Sequence, residues 1–99
     1  MKPTIVFNGK AIEILKPTVE VLRETLKLDA ERRELSTLDF IDRHCEIIAR
    51  AFGVTADEVY ANLSAEDMLP MYNDILAYQL EQLTARFKKN EAEETALQV

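Results

Sequence analysis

Several side chains that could bind a metal or move a proton lie close together in the middle of the sequence. They are Asp39, Asp42, His44, Cys45 and Glu46. On a helix each residue is turned by about 100° from the one before it, so only the pairs Asp39–Asp42 and Asp42–Glu46 share a face. A zinc site needs three or four ligands that converge on one point. This spacing argues against a metal here and favours structural roles for the five residues.

A nucleophile with its base is not evident either. His44 is the only histidine and Cys45 the only cysteine, and no positioned serine or second cysteine accompanies the histidine. Cys45 falls in an apolar stripe, where a thiol packs as a small hydrophobic group. The two glycines, Gly9 and Gly53, are too far apart for a phosphate-binding loop. We predict a core position for Cys45, a partly buried surface position for His44, and no catalytic, cofactor or metal site.

Composition points to a protein that binds other proteins. The 99 residues are 47% apolar, which suits one domain with its own core. Eighteen acidic residues against twelve basic ones give a net charge of -6, which repels nucleic acid and anionic membranes. A single cysteine and the lack of a long apolar run fit a reducing cytoplasm and no membrane span.

The first element is a predicted β-hairpin over residues 4–16. Asn8-Gly9 lies between two short apolar runs, and Asn-Gly favours the positive φ angles of a type I′ turn. Alternation along the strands places one apolar set on a shared face. That set is Ile5, Phe7, Ile12 and Ile14.

Two helices are predicted next. Thr18 caps the first, which runs over residues 19–34, and Ser36 caps the second, which begins near residue 37 and stops at Gly53. The predicted apolar face of the first helix is Val19, Leu22, Leu26 and Ala30. Two neighbouring apolar stripes make the second helix the expected centre of the fold. They comprise Leu38, Ile41, Cys45, Ile48 and Phe52, and beside them Phe40, Ile47 and Ala51.

Thr55 opens a short third helix with a capping box, and Ser64 is a predicted cap for the last helix. Pro70 leaves open whether that helix starts at Leu69 or has a separate first turn. The expected fold is α+β and mainly α, with an N-terminal hairpin packed on a bundle of about four helices. We predict one domain over residues 1–89 and an acidic, flexible tail over 90–99.

The last helix also supplies the predicted binding surface. Leucine and aromatic residues recur at helical spacing from Leu69 onwards, along a helix that is long for so small a body. Its distal part can extend beyond the core and meet a partner helix, in a groove or in a homo-oligomer. The predicted protein-binding residues are Tyr72, Leu76, Leu80, Leu83 and Phe87.

The order of these elements resembles the tail assembly chaperones of long-tailed bacteriophages, over roughly residues 4–88. The resemblance rests on the hairpin with its Asn-Gly turn and on four segments. These read Lys16-Pro-Thr-Val19, Leu38-Asp-Phe-Ile-Asp42, Ala51-Phe-Gly-Val-Thr-Ala-Asp-Glu-Val59 and Leu69-Pro-Met-Tyr-Asn-Asp-Ile-Leu76. Most of these residues are caps and core positions.

The resemblance implies a non-enzymatic chaperone that binds the phage tape measure protein and keeps it soluble. It also implies recruitment of tail tube subunits, a place in the cytoplasm of the bacterial host, and absence from the mature virion. It transfers no particular binding residue.

Two other classes stay open. The first is an acidic helical interaction or inhibitor module unrelated to phage tails, which would gather its acidic residues on one face. The second is an enzyme of unknown type, which would need a pocket with convergent polar groups.

Overall fold

The structure is a computed structural model that describes the backbone of residues 2–97 and the side chains of residues 2–86. A two-stranded hairpin is followed by four α-helices, as predicted, and the chain also contains two short 3₁₀ turns. The strands are β1 (Thr4–Phe7) and β2 (Lys10–Glu13), and the helices are α1 (Val19–Glu31), α2 (Thr37–Phe52), α3 (Ala56–Asn62) and α4 (Met68–Leu97).

The hairpin has the predicted turn and the predicted buried face. Asn8 and Gly9 both have positive φ angles, 54° and 76°, as a type I′ turn requires. The strands are antiparallel and pair Ile5 with Ile12. Ile5 and Phe7 are buried, whereas Val6 between them points to solvent.

The hairpin packs on the end of α2. The backbone amide of Leu15 donates to the carbonyl of Ala51 at 2.9 Å, which ties the chain after β2 to this helix. A two-stranded hairpin is marginal alone in water, so its stability depends on this apolar contact. The shared core contains Ile5, Phe7, Ile14, Cys45, Ile48, Phe52, Val59 and Ile75.

Helix α2 is central, as predicted, and contacts α1, α3 and α4. The Ser36 hydroxyl accepts from the Asp39 amide at its start, and Gly53 ends it in the left-handed conformation. The prediction fails at the first turns of the helix. Leu38 is 67% exposed, and Ile41, which lines a cleft beside α3, is 39% exposed.

Helix α1 buries a face that overlaps the predicted one only at Leu22. Leu22, Thr25 and Leu28 are buried, whereas the predicted core residues Val19, Leu26 and Ala30 are exposed. Thr25 tolerates burial because its hydroxyl donates to the Val21 carbonyl at 2.8 Å. The predicted helix over residues 19–34 ends at Glu31, and a 3₁₀ turn occupies Arg32–Glu34.

The two later caps behave differently. Thr55 and Glu58 form the predicted reciprocal capping box of α3. Ser64 makes no side-chain capping bond, so that prediction is wrong, because a separate 3₁₀ turn at Ala65–Asp67 precedes α4. Pro70 then lies in the first turn of α4, where a missing backbone N–H costs no helical hydrogen bond.

The backbone of α4 stays helical to Leu97, past the predicted domain end at residue 89. The division into a domain and a flexible tail stays a prediction. Within the part of the chain that the structure describes, none of the helices combines the length and apolarity needed to span a bilayer.

The left-handed conformation of Gly53 predicts a graded effect of substitution. Gly53→Ala should lower the free energy of unfolding by about 1 kcal/mol, because a Cβ disfavours φ near 69°. Gly53→Asn should lower it less, since asparagine adopts this conformation more readily. Both variants place the same Cβ against Leu15, 2.9 Å from its Cδ1, so urea denaturation of the pair isolates the backbone effect. Equal losses would contradict it.

Candidate functional site

The segment that carries potential catalytic groups is part of the structural core. His44 and Cys45 are both buried in α2. Burial raises the pKa of the Cys45 thiol, and the nearby carboxylates of Asp42 and Glu46 raise it further. Among the residues whose side chains are described, no three His, Cys, Asp or Glu side chains are grouped as a metal ion would require. Cys45 thus has the predicted core position.

His44 is fully buried, so the predicted partly buried surface position is wrong. Its ring is packed between those of Phe40 and Tyr72, with centroid distances of 4.1 and 4.6 Å. His44 Nδ1 lies 2.6 Å from the Phe40 carbonyl oxygen. A carbonyl can only accept, so Nδ1 donates, whereas the buried Nε2 has no hydrogen-bond partner among the described residues.

Tyr72 connects this ring cluster to α1. Its hydroxyl donates to the Thr25 carbonyl at 3.2 Å and lies 3.5 Å from Asp29 Oδ1. Burial, with a further contribution from the Asp29 carboxylate, raises the pKa of Tyr72 to about 12. The Arg32 guanidinium lies 5.7 Å from the centre of the tyrosine ring. Tyr72 is therefore a neutral anchor between three helices.

The predicted binding residues on α4 divide into two groups. Tyr72 is buried, so its assignment to a partner surface is wrong, because the ring fills the space between α1 and α2. Leu76 is half-buried, and Leu80 and Leu83 are 40% and 59% exposed. Phe87 lies outside the described side chains. A binding role for Leu76, Leu80, Leu83 and Phe87 stays a prediction.

After Tyr72, α4 lies beside the start of α1, and an open groove of about 600 Å³ runs between them. The two helices run in opposite directions here, since Tyr72 meets the middle of α1 and later residues of α4 lie beside its first turn. We name this feature the Gln79 groove. The residues that define it are Lys16, Val19, Leu22, Gln79, Leu83 and Arg86.

The Gln79 groove combines an apolar wall with a buried amide. Val19 is 72% exposed and Leu83 59%, so both present apolar surface to solvent. Gln79 also lines the groove and is only 1% exposed, and its Oε1 has no hydrogen-bond partner among the described residues. A buried polar atom without a partner is rare in folded proteins because it loses its hydration without compensation.

A second, smaller cleft of about 320 Å³ lies between α2, α3 and the start of α4. Its lining is mostly apolar, and Ile41 and Tyr60 are partly exposed there. The Cys45 thiol also lines the cleft. Burial raises the pKa of this thiol, and the nearby carboxylates of Asp42 and Glu46 raise it further. This cleft has no buried polar atom without a partner among the described residues, so it gives a weaker indication of a ligand than the Gln79 groove does.

Comparison of the chain with protein-family models, with curated protein sequences and with solved structures gives no match.

Sequence reasoning missed two residues of the Gln79 groove. It placed Val19 in the core of α1, although the residue follows the cap directly and precedes the first covered turn. It did not consider Gln79, because glutamine on a helix is ordinarily a surface residue. The available signal was the spacing of Gln79, which lies seven residues after Tyr72 and four before Leu83 on one helix face.

Burial of His44 predicts a pH-dependent stability. Burial is the main cause that lowers the pKa of His44 below its ordinary value of 6.5, with Arg32 and Arg43 adding to it and Asp29 opposing it. Below about pH 6.5 the unfolded chain then binds more protons than the folded one, so the free energy of unfolding falls as the pH is lowered.

Urea denaturation of the wild type between about pH 7 and pH 5 should show this fall, and His44→Gln should show a smaller one. Tyr72→Phe is the matched control, because it loses the bond to Thr25 but retains the histidine and the ring contact. It should keep the wild-type slope and cost about 1 kcal/mol at each pH. An unchanged slope in His44→Gln would contradict the assignment.

Proposed function

We propose that this protein is a non-enzymatic tail assembly chaperone of the bacteriophage type, whose client is a tape measure protein. The chaperone binds an apolar segment of the client and keeps the client soluble until tail tube subunits assemble around it. It acts in the cytoplasm of the bacterial host and is not part of the finished virion.

The observation that carries this proposal is the exposed apolar surface beside the Gln79 groove. Leu80 and Leu83 on α4 and Val19 on α1 are large apolar side chains that the domain itself leaves uncovered. Several such residues in one region are typical of a protein-binding site, whereas single exposed leucines are ordinary. The groove runs between two helices, a geometry that accepts an apolar helical segment.

The charge of the chain supports the same function. A net charge of -6 keeps the chaperone soluble while one surface stays apolar. Most of the acidic side chains are distributed over the outside of the helices, where several form ion pairs. Arg50, for example, binds both Glu20 and Glu24, and Arg43 binds Glu31. This distribution is unlike the single acidic face that an inhibitor of nucleic-acid-binding proteins would need.

The first test is co-expression with the long, coiled-coil-rich protein encoded downstream in the same locus. We expect the wild-type chain to hold this client in the soluble fraction and to be recovered with it. Val19→Asp and Leu83→Asp should each weaken the complex by about tenfold or more, because a carboxylate then replaces apolar contact area in the groove. Both side chains are exposed, so the thermal midpoint of the free domain should change little.

Leu38→Asp is the matched control. Leu38 is 67% exposed, yet it lies on the first turn of α2 and does not line the groove. It should leave client binding at the wild-type level. A client that stays insoluble and unbound in the presence of folded wild-type protein would overturn the proposed function.

A further inference from the structure

The chemistry of the Gln79 groove defines the segment that it can bind. Its apolar wall contains Val19 and Leu83, which would contact aliphatic side chains. Gln79 also lines the groove, and its buried amide oxygen has no hydrogen-bond partner within the described part of the protein. An amide oxygen accepts hydrogen bonds, so a ligand that reaches it has to present a donor.

Among the described side chains, the charged residues that line the groove are both basic. They are Lys16, just before α1, and Arg86 on α4. Two cations on one groove are notable in a chain with eighteen acidic and twelve basic residues. The nearest acidic residue on α1, Glu20, is paired with Arg50 on α2 at 3.3 Å. The groove is therefore complementary in charge to an acidic ligand.

We infer that the Gln79 groove binds an apolar protein segment that carries an acidic side chain and, between its apolar residues, a hydroxyl or amide donor. The donor bonds to Gln79 Oε1, and the carboxylate meets Lys16 and Arg86. The inference rests on the proposed function in taking the segment to be part of the client. It makes Gln79 a residue that determines specificity, because an entirely apolar segment would leave the amide oxygen buried and unbonded.

Gln79→Leu tests this role because stability and binding should change in opposite directions. Leucine has a similar size and removes the unbonded oxygen, so the urea midpoint of the free domain should rise. Ligand binding should weaken by about tenfold, since the donor of the ligand would be buried without a partner. A residue with only a structural role would not give a more stable domain together with weaker binding.

The probe is a displayed library of random peptides, selected on the full wild-type chain. We expect the recovered peptides to combine leucine-like residues with aspartate or glutamate. Synthetic copies should bind about tenfold more weakly to Gln79→Leu and to the double variant Lys16→Glu/Arg86→Glu, as measured by fluorescence anisotropy. Lysine in place of the acidic residue of the peptide should restore binding to the double variant. Leu38→Asp should bind like the wild type.

Recovered peptides without acidic residues, or with equal affinity for the wild type and both groove variants, would overturn the inference. Recovery of no peptide would overturn it as well. The client protein separates this outcome from the proposed function. If the client binds the wild type and both groove variants equally, the chaperone function is retained and binding through the Gln79 groove is ruled out. If acidic peptides bind the groove but the client does not bind, only the chaperone function is ruled out.

Discussion

The position of α4 depends on the burial of Tyr72. Its ring packs against His44 of α2, and its hydroxyl donates to the Thr25 carbonyl of α1, so one side chain joins three helices. Ile75, one turn later, is fully buried in the core shared with the hairpin. A helix is stiff over this length, so fixing its first turns also fixes the direction of its later ones. Gln79 and Leu83 are thereby held beside the first turn of α1, and the groove between them follows from this geometry.

Three polar side chains lie in the core of this small domain, and they differ in how their hydrogen bonds are met. Thr25 and His44 are fully buried, and each bonds to a carbonyl four residues earlier in its own helix, although His44 Nε2 has no hydrogen-bond partner among the described residues. Gln79 is equally buried, but its amide oxygen has no such bond among the described residues. Unsatisfied polar groups of this kind are costly and concentrate at functional positions. Of these two unbonded atoms, the Gln79 oxygen belongs to a residue that lines the groove, so it is the one whose bonding a ligand there could complete.

Local signals in the sequence were sufficient for the hairpin turn and for several helix ends. The Asn8-Gly9 turn, the Thr55 capping box and the Gly53 helix end each depend on a few neighbouring residues, and all were predicted correctly. The inward faces of α1 and α4 were not, because the face that a helix buries is chosen by its neighbours in space. Counting apolar residues favoured Val19 and Leu26 over Thr25. It likewise placed Tyr72 on a binding surface and did not consider Gln79. In the structure Tyr72 is fully buried, and Gln79 is a buried residue that lines the groove.

The central claim is that the later turns of α4 and the start of α1 together form the surface that a client covers. Hydrogen-exchange mass spectrometry of the chain, alone and in its co-expressed complex, tests this most directly because it reports protection along the whole backbone. The account predicts slower exchange in the complex over residues 16–22 and 76–86 and unchanged exchange in the hairpin and the first turn of α2. Protection confined to the hairpin or to α3, with residues 76–86 unchanged, would contradict it.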